Sequence, residues 1–100
     1  MQVIFTLRAG RQIRALHAYI AEKASERRAD AYVARITAFC FGLATFPMRG
    51  QKRDDLLPGL RTIGFERRIT VAFVVSADAV LIEGVFYGGQ DVEAGSRNRQ

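Results

Sequence analysis

The sequence predicts an α+β fold, a helical hairpin laid on one face of an antiparallel sheet in the order β-α-α-β-β-β. Three observations carry that expectation. The chain opens on a short β-branched and aromatic run. Two stretches of helical periodicity follow with no strand between them. The last third alternates with period two, broken by short turns.

The opening run, Gln2 to Leu7 ("QVIFTL"), ends before Ala9-Gly10 and reads as a first strand. From about Ala9, apolar residues recur at Ala9, Ile13, Leu16, Ile20 and Ala24, one stripe of an amphipathic helix, with His17 and Tyr19 off it. Ser25 is a candidate N-cap for a second helix, with Glu26 in its first turn where the helix dipole favours an acid. Ala29, Val33, Ile36, Cys40 and Leu43 form the stripe of that helix; Tyr32, Phe39 and Phe46 widen it. Pro47 is expected to end it after Phe46, because proline disfavours helix in the residue before it.

Residues 47–61, "PMRGQKRDDLLPGLR", hold both prolines and a dense run of mixed charge, which reads as a loop with at most a turn of helix. Leu60 to Phe65 is a further strand. Ile69, Val71, Phe73 and Val75 then alternate with Arg68, Thr70, Ala72 and Val74. After a turn at Ser76-Ala77-Asp78, Val80, Ile82, Gly84 and Phe86 repeat the pattern. These strands predict a hairpin closing an antiparallel meander.

The chain has 100 residues, 49% of them hydrophobic and 25% charged, which fits one domain over residues 1–100 with a flexible tail at 94–100. The net charge of +5 favours acidic partners without choosing among nucleic acid, an acidic protein segment and an anionic membrane. The single cysteine, Cys40, permits no internal disulfide and reads as a small core residue. The N-terminus lacks the basic and apolar segments of a signal peptide or membrane span, so the expected location is the cytoplasm.

No P-loop, dinucleotide fingerprint or metal-ligand cluster is present, and neither a cofactor nor a metal is expected. The concentrated chemistry is cationic: Lys52, Arg53, Arg61, Arg67 and Arg68 are candidate anion- or partner-binding residues. Alternation puts Arg68 on the sheet face opposite the helices, where Arg61 and Tyr87 join it in the right register. Such a face would suit RNA phosphates or the carboxylates of an acidic peptide. As a nuclease site, Arg61, Arg68 and Tyr87 would supply cations and a proton donor, with Glu66 as acceptor.

The order of elements and several short stretches resemble the RelE/ParE superfamily of toxins from bacterial type II toxin–antitoxin pairs. "AGRQIRALHAYIAE" and "RADAYVARI" resemble its two helices, "FPMRGQKRDDLLPGLR" its loop, and "RRITVAFVV" with "VLIEGVFYGGQDVEA" its closing hairpin. Gln12 departs from the pattern, standing where the family often has an acid. The resemblance implies a toxin neutralised by a co-expressed antitoxin whose acidic, flexible segment folds around it. The expected contacts are the helical hairpin, at Ile13, His17, Tyr19 and Tyr32, and the sheet face.

The superfamily has two branches. RelE-like members cut messenger RNA on the ribosome, and a histidine or tyrosine often stands near the end of their last strand. ParE-like members are associated with poisoning DNA gyrase. Here Gly88-Gly89 follow Tyr87 where reactive side chains would be needed, and the ending "YGGQD" resembles the ParE branch. The leading expectation is therefore a ParE-like gyrase inhibitor, not an enzyme, with no direct contact to operator DNA. A ribosome-dependent endonuclease and an inert toxin-like binding module are the alternatives. Gln90 and Asp91 are expected to hold the tail or meet a partner.

Overall fold

Local sequence chemistry sets the helical hairpin. Thr6 Oγ1 accepts a hydrogen bond from the Ala9 amide at 3.1 Å and caps α1 (Leu7–Lys23), which starts two residues earlier than its apolar stripe predicts. Ser25 Oγ accepts from the Arg28 amide at 3.1 Å and caps α2 (Glu26–Gly42), with Glu26 in the first turn. Each cap contributes about 1 kcal/mol. Only Ala24 and Ser25 separate the helices, so they pack antiparallel. The computed structural model describes residues 1–88, which leaves the expectations for Gly89, Gln90, Asp91 and the 94–100 tail outside the described residues.

α2 stops at Gly42, four residues before the predicted end. Leu43, Ala44 and Thr45 each bond the carbonyl three residues back, a tightened last turn that leaves Phe46 exposed ahead of Pro47. Proline limits how far a helix can run but does not fix where it frays.

Five strands form one sheet in the order β1-β5-β4-β3-β2, with β1 (Gln2–Phe5), β2 (Gln51–Lys52), β3 (Leu60–Phe65), β4 (Ile69–Val75) and β5 (Ala79–Tyr87). Two features correct the predicted sheet. It is mixed, because β1 pairs parallel with β5, Val3 opposite Val80 and Phe5 opposite Ile82. It also has an extra edge strand, β2, pairing Lys52 with Arg61. Neither is visible in periodicity, since parallel pairing here joins the two ends of the chain and β2 is too short to alternate.

A third correction concerns β5. Phe73 pairs with Ile82 but Ala72 pairs with Gly84, so Glu83 is an extra residue, a β-bulge. Side-chain alternation reverses across it. Val80 and Ile82 face the helices, as predicted; beyond the bulge it is Val85 and Tyr87 that do so, while Phe86 turns to the other face.

The main core lies between helices and sheet. Ile36, Cys40 and Leu43 of the second helical segment meet Ile69, Val71, Phe73, Val80 and Ile82, all at most 1% exposed. The opposite face is not open, as the alternation argument had it. The loop after β2 folds back, with Leu56 and Leu57 amides bonded to the Arg53 carbonyl and the Gly59 amide to Asp54 Oδ1. This brings Leu56 and Leu57 over Leu60, Ala72 and Phe86 in a second, smaller cluster.

Candidate functional site

The bulge at Glu83 is held by the start of α1. Thr6 Oγ1 and Arg8 Nε both donate to the Glu83 carbonyl at 3.2 Å. The Val85 amide donates to Gln12 Oε1 at 2.7 Å. The Arg8 guanidinium lies 5.7 Å from the Phe86 ring centroid. Gln12 thus satisfies a backbone donor beside the bulge. Its role is positional, and sequence reasoning missed it for want of a visible bulge.

Because the bulge reverses alternation, Tyr87 turns toward the helices and meets Tyr19 and Tyr32, with ring centroids 5.9 and 6.4 Å away. Two clefts flank it. One, of about 400 Å³, is lined by Gln12, Leu16, Tyr19, Val85 and Tyr87. The other, of about 510 Å³, runs between α2 and the β3–β4 turn and is lined by Arg28, Tyr32, Arg35, Glu66, Arg68 and Tyr87.

The turn that brings Arg68 into the second cleft has an uncommon backbone. Glu66 and Arg67 both have positive φ, 49° and 65°. Side chains other than Gly, Asn and Asp rarely accept that region, at a cost of about 1–2 kcal/mol each. A two-point ion pair anchors the turn: Arg35 Nε and Nη2 reach the Glu66 carboxylate at 2.8 and 3.1 Å. That bond holds the Glu66 carboxyl below its usual pKa range and raises that of Arg35. Arg35 also stacks 5.2 Å from the Tyr32 ring. Burial, then the neighbouring Tyr87 and Glu66, push the Tyr32 phenol pKa up, against a smaller opposing pull from Arg35 and Arg68.

The predicted anion-binding face does not assemble. Arg68 and Tyr87 share the second cleft, on the helix side of the sheet. Arg61 belongs to a separate cavity of about 250 Å³ at the far end of β3, with Met48, Lys52, Asp54 and Val75, and its Nη1 donates to the Arg49 carbonyl at 3.3 Å. Arg53 pairs with Asp55 at 3.0 and 2.9 Å. Arg67 is exposed at the turn. Alternation failed for Arg68 because the residue lies in a turn, and for Tyr87 because of the bulge.

Of the residues expected to meet a partner, Ile13 packs against the main core and His17 Nε2 bonds Asp30 Oδ1 at 2.7 Å, linking the helices. Tyr19 is 49% exposed and Tyr32 is half-buried. Cys40 is fully buried, which pushes its thiol pKa to about 12 and leaves it protonated at neutral pH. Among the described residues no three His, Cys, Asp or Glu side chains cluster as metal ligands, and no helix is long and apolar enough to cross a membrane.

Two helices on one face of a five-stranded mixed sheet define a class of small α+β protein that is already known in solved structures. One, described as the chromosomal ParDE TA system from P. aeruginosa, is similar with a TM-score of 0.76 and 20% sequence identity, covering 88% of this chain and 96% of that chain. At that identity the likeness speaks for the fold. The family follows from the sequence itself: the model described as the ParE toxin of the type II toxin–antitoxin system parDE matches residues 3–92, and the chain belongs to that family. No curated protein sequence matches it.

Proposed function

We propose that this ParE toxin inhibits DNA gyrase by binding it, without nuclease chemistry of its own, and that a co-expressed acidic antitoxin holds it inactive. The observation that weighs against a nuclease, and so favours the gyrase reading over it, is the separation of Arg61 from Arg68 and Tyr87 into different cavities. A concerted transfer needs base, acid and charge stabiliser around one reacting phosphate, and these side chains do not surround one point. The antitoxin is supported by family membership, by the +5 net charge, and by exposed apolar side chains at Leu7, Tyr19, Phe41, Phe46 and Met48. An amphipathic acidic segment covers both kinds of surface. Along the helices, Tyr19 and Tyr32 are the contact residues to test first.

Purified toxin should block gyrase supercoiling or trap cleaved DNA, and a large excess should leave ribosome-bound messenger RNA intact. Messenger RNA cleavage without any effect on gyrase would overturn the reading. Arg68 and Tyr87 do share one cleft, which favours the ribosome-dependent nuclease as the second reading. It requires that Arg61→Ala, Arg68→Ala and Tyr87→Phe each abolish toxicity in folded protein. Growth arrest on expression without the antitoxin excludes an inert binding module.

A further inference from the structure

The cleft between α2 and the β3–β4 turn gathers cations and aromatic rings at one place. Its wall carries three arginines and one carboxylate, Arg28, Arg35, Arg68 and Glu66, beside the rings of Tyr32 and Tyr87. The cations are not equivalent. Arg35 is committed, doubly bonded to Glu66 and stacked on Tyr32. Arg28 and Arg68 have no ion-pair partner among the described residues, and both are exposed. One lies in the first turn of α2 and the other on the β3–β4 turn, and both line the cleft.

We infer that this cleft binds a 5′-phosphorylated nucleoside, with the phosphate between Arg28 and Arg68 and the base against the Tyr32 and Tyr87 rings. Three arginines less one carboxylate leave a local excess of two positive charges, the complement of a phosphate monoester near neutral pH. Guanidinium groups match phosphate oxygens in geometry as well as charge. Aromatic rings beside unpaired cations are the combination that holds an unstacked base and its phosphate. A peptide of carboxylates alone satisfies the arginines but offers no planar group to the tyrosines. The volume, about 510 Å³, lies within the roughly 300–1,000 Å³ of small-molecule sites. The Arg35–Glu66 pair positions the site: it fixes the strained turn that carries Arg68 and keeps one charged group over Tyr32. A free nucleotide and the 5′ end of a single strand present the same chemistry. Duplex DNA does not, since its bases are stacked and its phosphates are diesters.

The test is a titration of the full chain, followed by calorimetry or by chemical shifts of the tyrosine rings. The probes are AMP, UMP, adenosine, inorganic phosphate, tetraglutamate, and a single-stranded tetranucleotide with and without its 5′ phosphate. Saturable binding of at least one nucleotide is expected, with adenosine and inorganic phosphate each weaker by about tenfold or more. Arg28→Ala and Arg68→Ala, both at exposed positions that leave the fold intact, should each weaken nucleotide binding by about tenfold. Tyr32→Phe should retain binding and Tyr32→Leu lose it. A phosphorylated tetranucleotide that binds more tightly than AMP identifies a strand end as the source; one that binds equally or less tightly identifies the free nucleotide. The proposal is overturned by no saturable binding up to about 10 mM, by tetraglutamate or phosphate matching the nucleotides, or by arginine variants that bind unchanged. Gyrase inhibition is measured separately, so either reading can fail while the other stands.

Discussion

At Glu83–Val85, β5 is enclosed by protein. Thr6, Arg8 and Gln12 bond the strand backbone there. A Cβ added at Gly84 would lie 2.6 Å from the Phe86 ring. At Tyr87–Gly88 the same strand runs out between two clefts, and a Cβ on Gly88 would meet nothing within 4 Å among the described residues. Both stretches carry a glycine, for opposite reasons. Gly84 is favoured by space, Gly88 by its φ of +65°. The bulged end is the rigid frame, and its one extra residue is what aims Tyr87 into the open end. The fold thus packs tightly around a bulge and leaves the strained Glu66 beside Arg28, Arg35 and Arg68 around a cleft.

The largest test of that contrast is Gly84→Ala. The buried Phe86 ring has little room to move, so the variant should lose about 1–3 kcal/mol, read as a lower urea midpoint. Gly88→Ala meets only the backbone penalty of a left-handed residue, about 1 kcal/mol. Adding Phe86→Leu should rescue Gly84→Ala in part and leave the Gly88→Ala cost unchanged. Equal costs at the two glycines, with no rescue, would break the comparison.

Gln12→Leu comes next. It keeps the bulk of the side chain but leaves the Val85 amide without its acceptor, at an expected cost of about 1–2 kcal/mol. Because the bond sets the strand beside Tyr87, amide exchange at Val85 should also quicken in the variant. An unchanged denaturation midpoint would mean that the bulge holds itself.

Arg67→Gly probes the open end and should act in the other direction. Relief of the left-handed backbone at Arg67 outweighs the entropy of a glycine, so the variant gains about 0.5–1 kcal/mol. Arg67 is exposed and lines neither cleft, so gyrase inhibition should persist. A stabilised variant that loses gyrase inhibition would show that the strained turn itself is used.

The same contrast explains what the sequence made legible. Helix stripes, the Ser25 cap, β3 and the Ser76–Asp78 turn depend on neighbours a few residues away, and their patterns are local. The bulge depends on one extra residue within a strand. The run Val85-Phe86-Tyr87 is bulky at every position, so neither parity looked wrong. A Glu-Gly pair inside an apolar strand was the available signal, since glycine within a strand marks bulges and close approaches. The turn at Glu66–Arg68 was hidden because it lacks the Gly, Asn or Asp that usually announces left-handed backbone. Both oversights moved a site residue: one turned Tyr87 to the wrong face, the other put Arg68 in a strand.

The smallest effect belongs to the ion pair that ties that turn to α2. Arg35 and Glu66 are substantially exposed, with side chains 53% and 37% accessible, so solvent screens much of their attraction. Its pH dependence still has a definite sign. Arg35 holds the folded-state pKa of Glu66 below the unfolded value. The stability it adds is therefore present above the ordinary carboxylate range and is lost as pH falls through the folded value. Glu66→Gln should lower the denaturation midpoint slightly at neutral pH, and the gap to the unmodified chain should close in acid. Salt should shrink the gap as well. The pair's consequence for the cleft is larger than for the fold, because Glu66→Gln leaves Arg35 free to compete with Arg28 and Arg68 for an anion. The variant should hold AMP with altered affinity while its denaturation curve barely shifts. A large midpoint shift with unchanged binding would assign the pair to the frame and not to the open end.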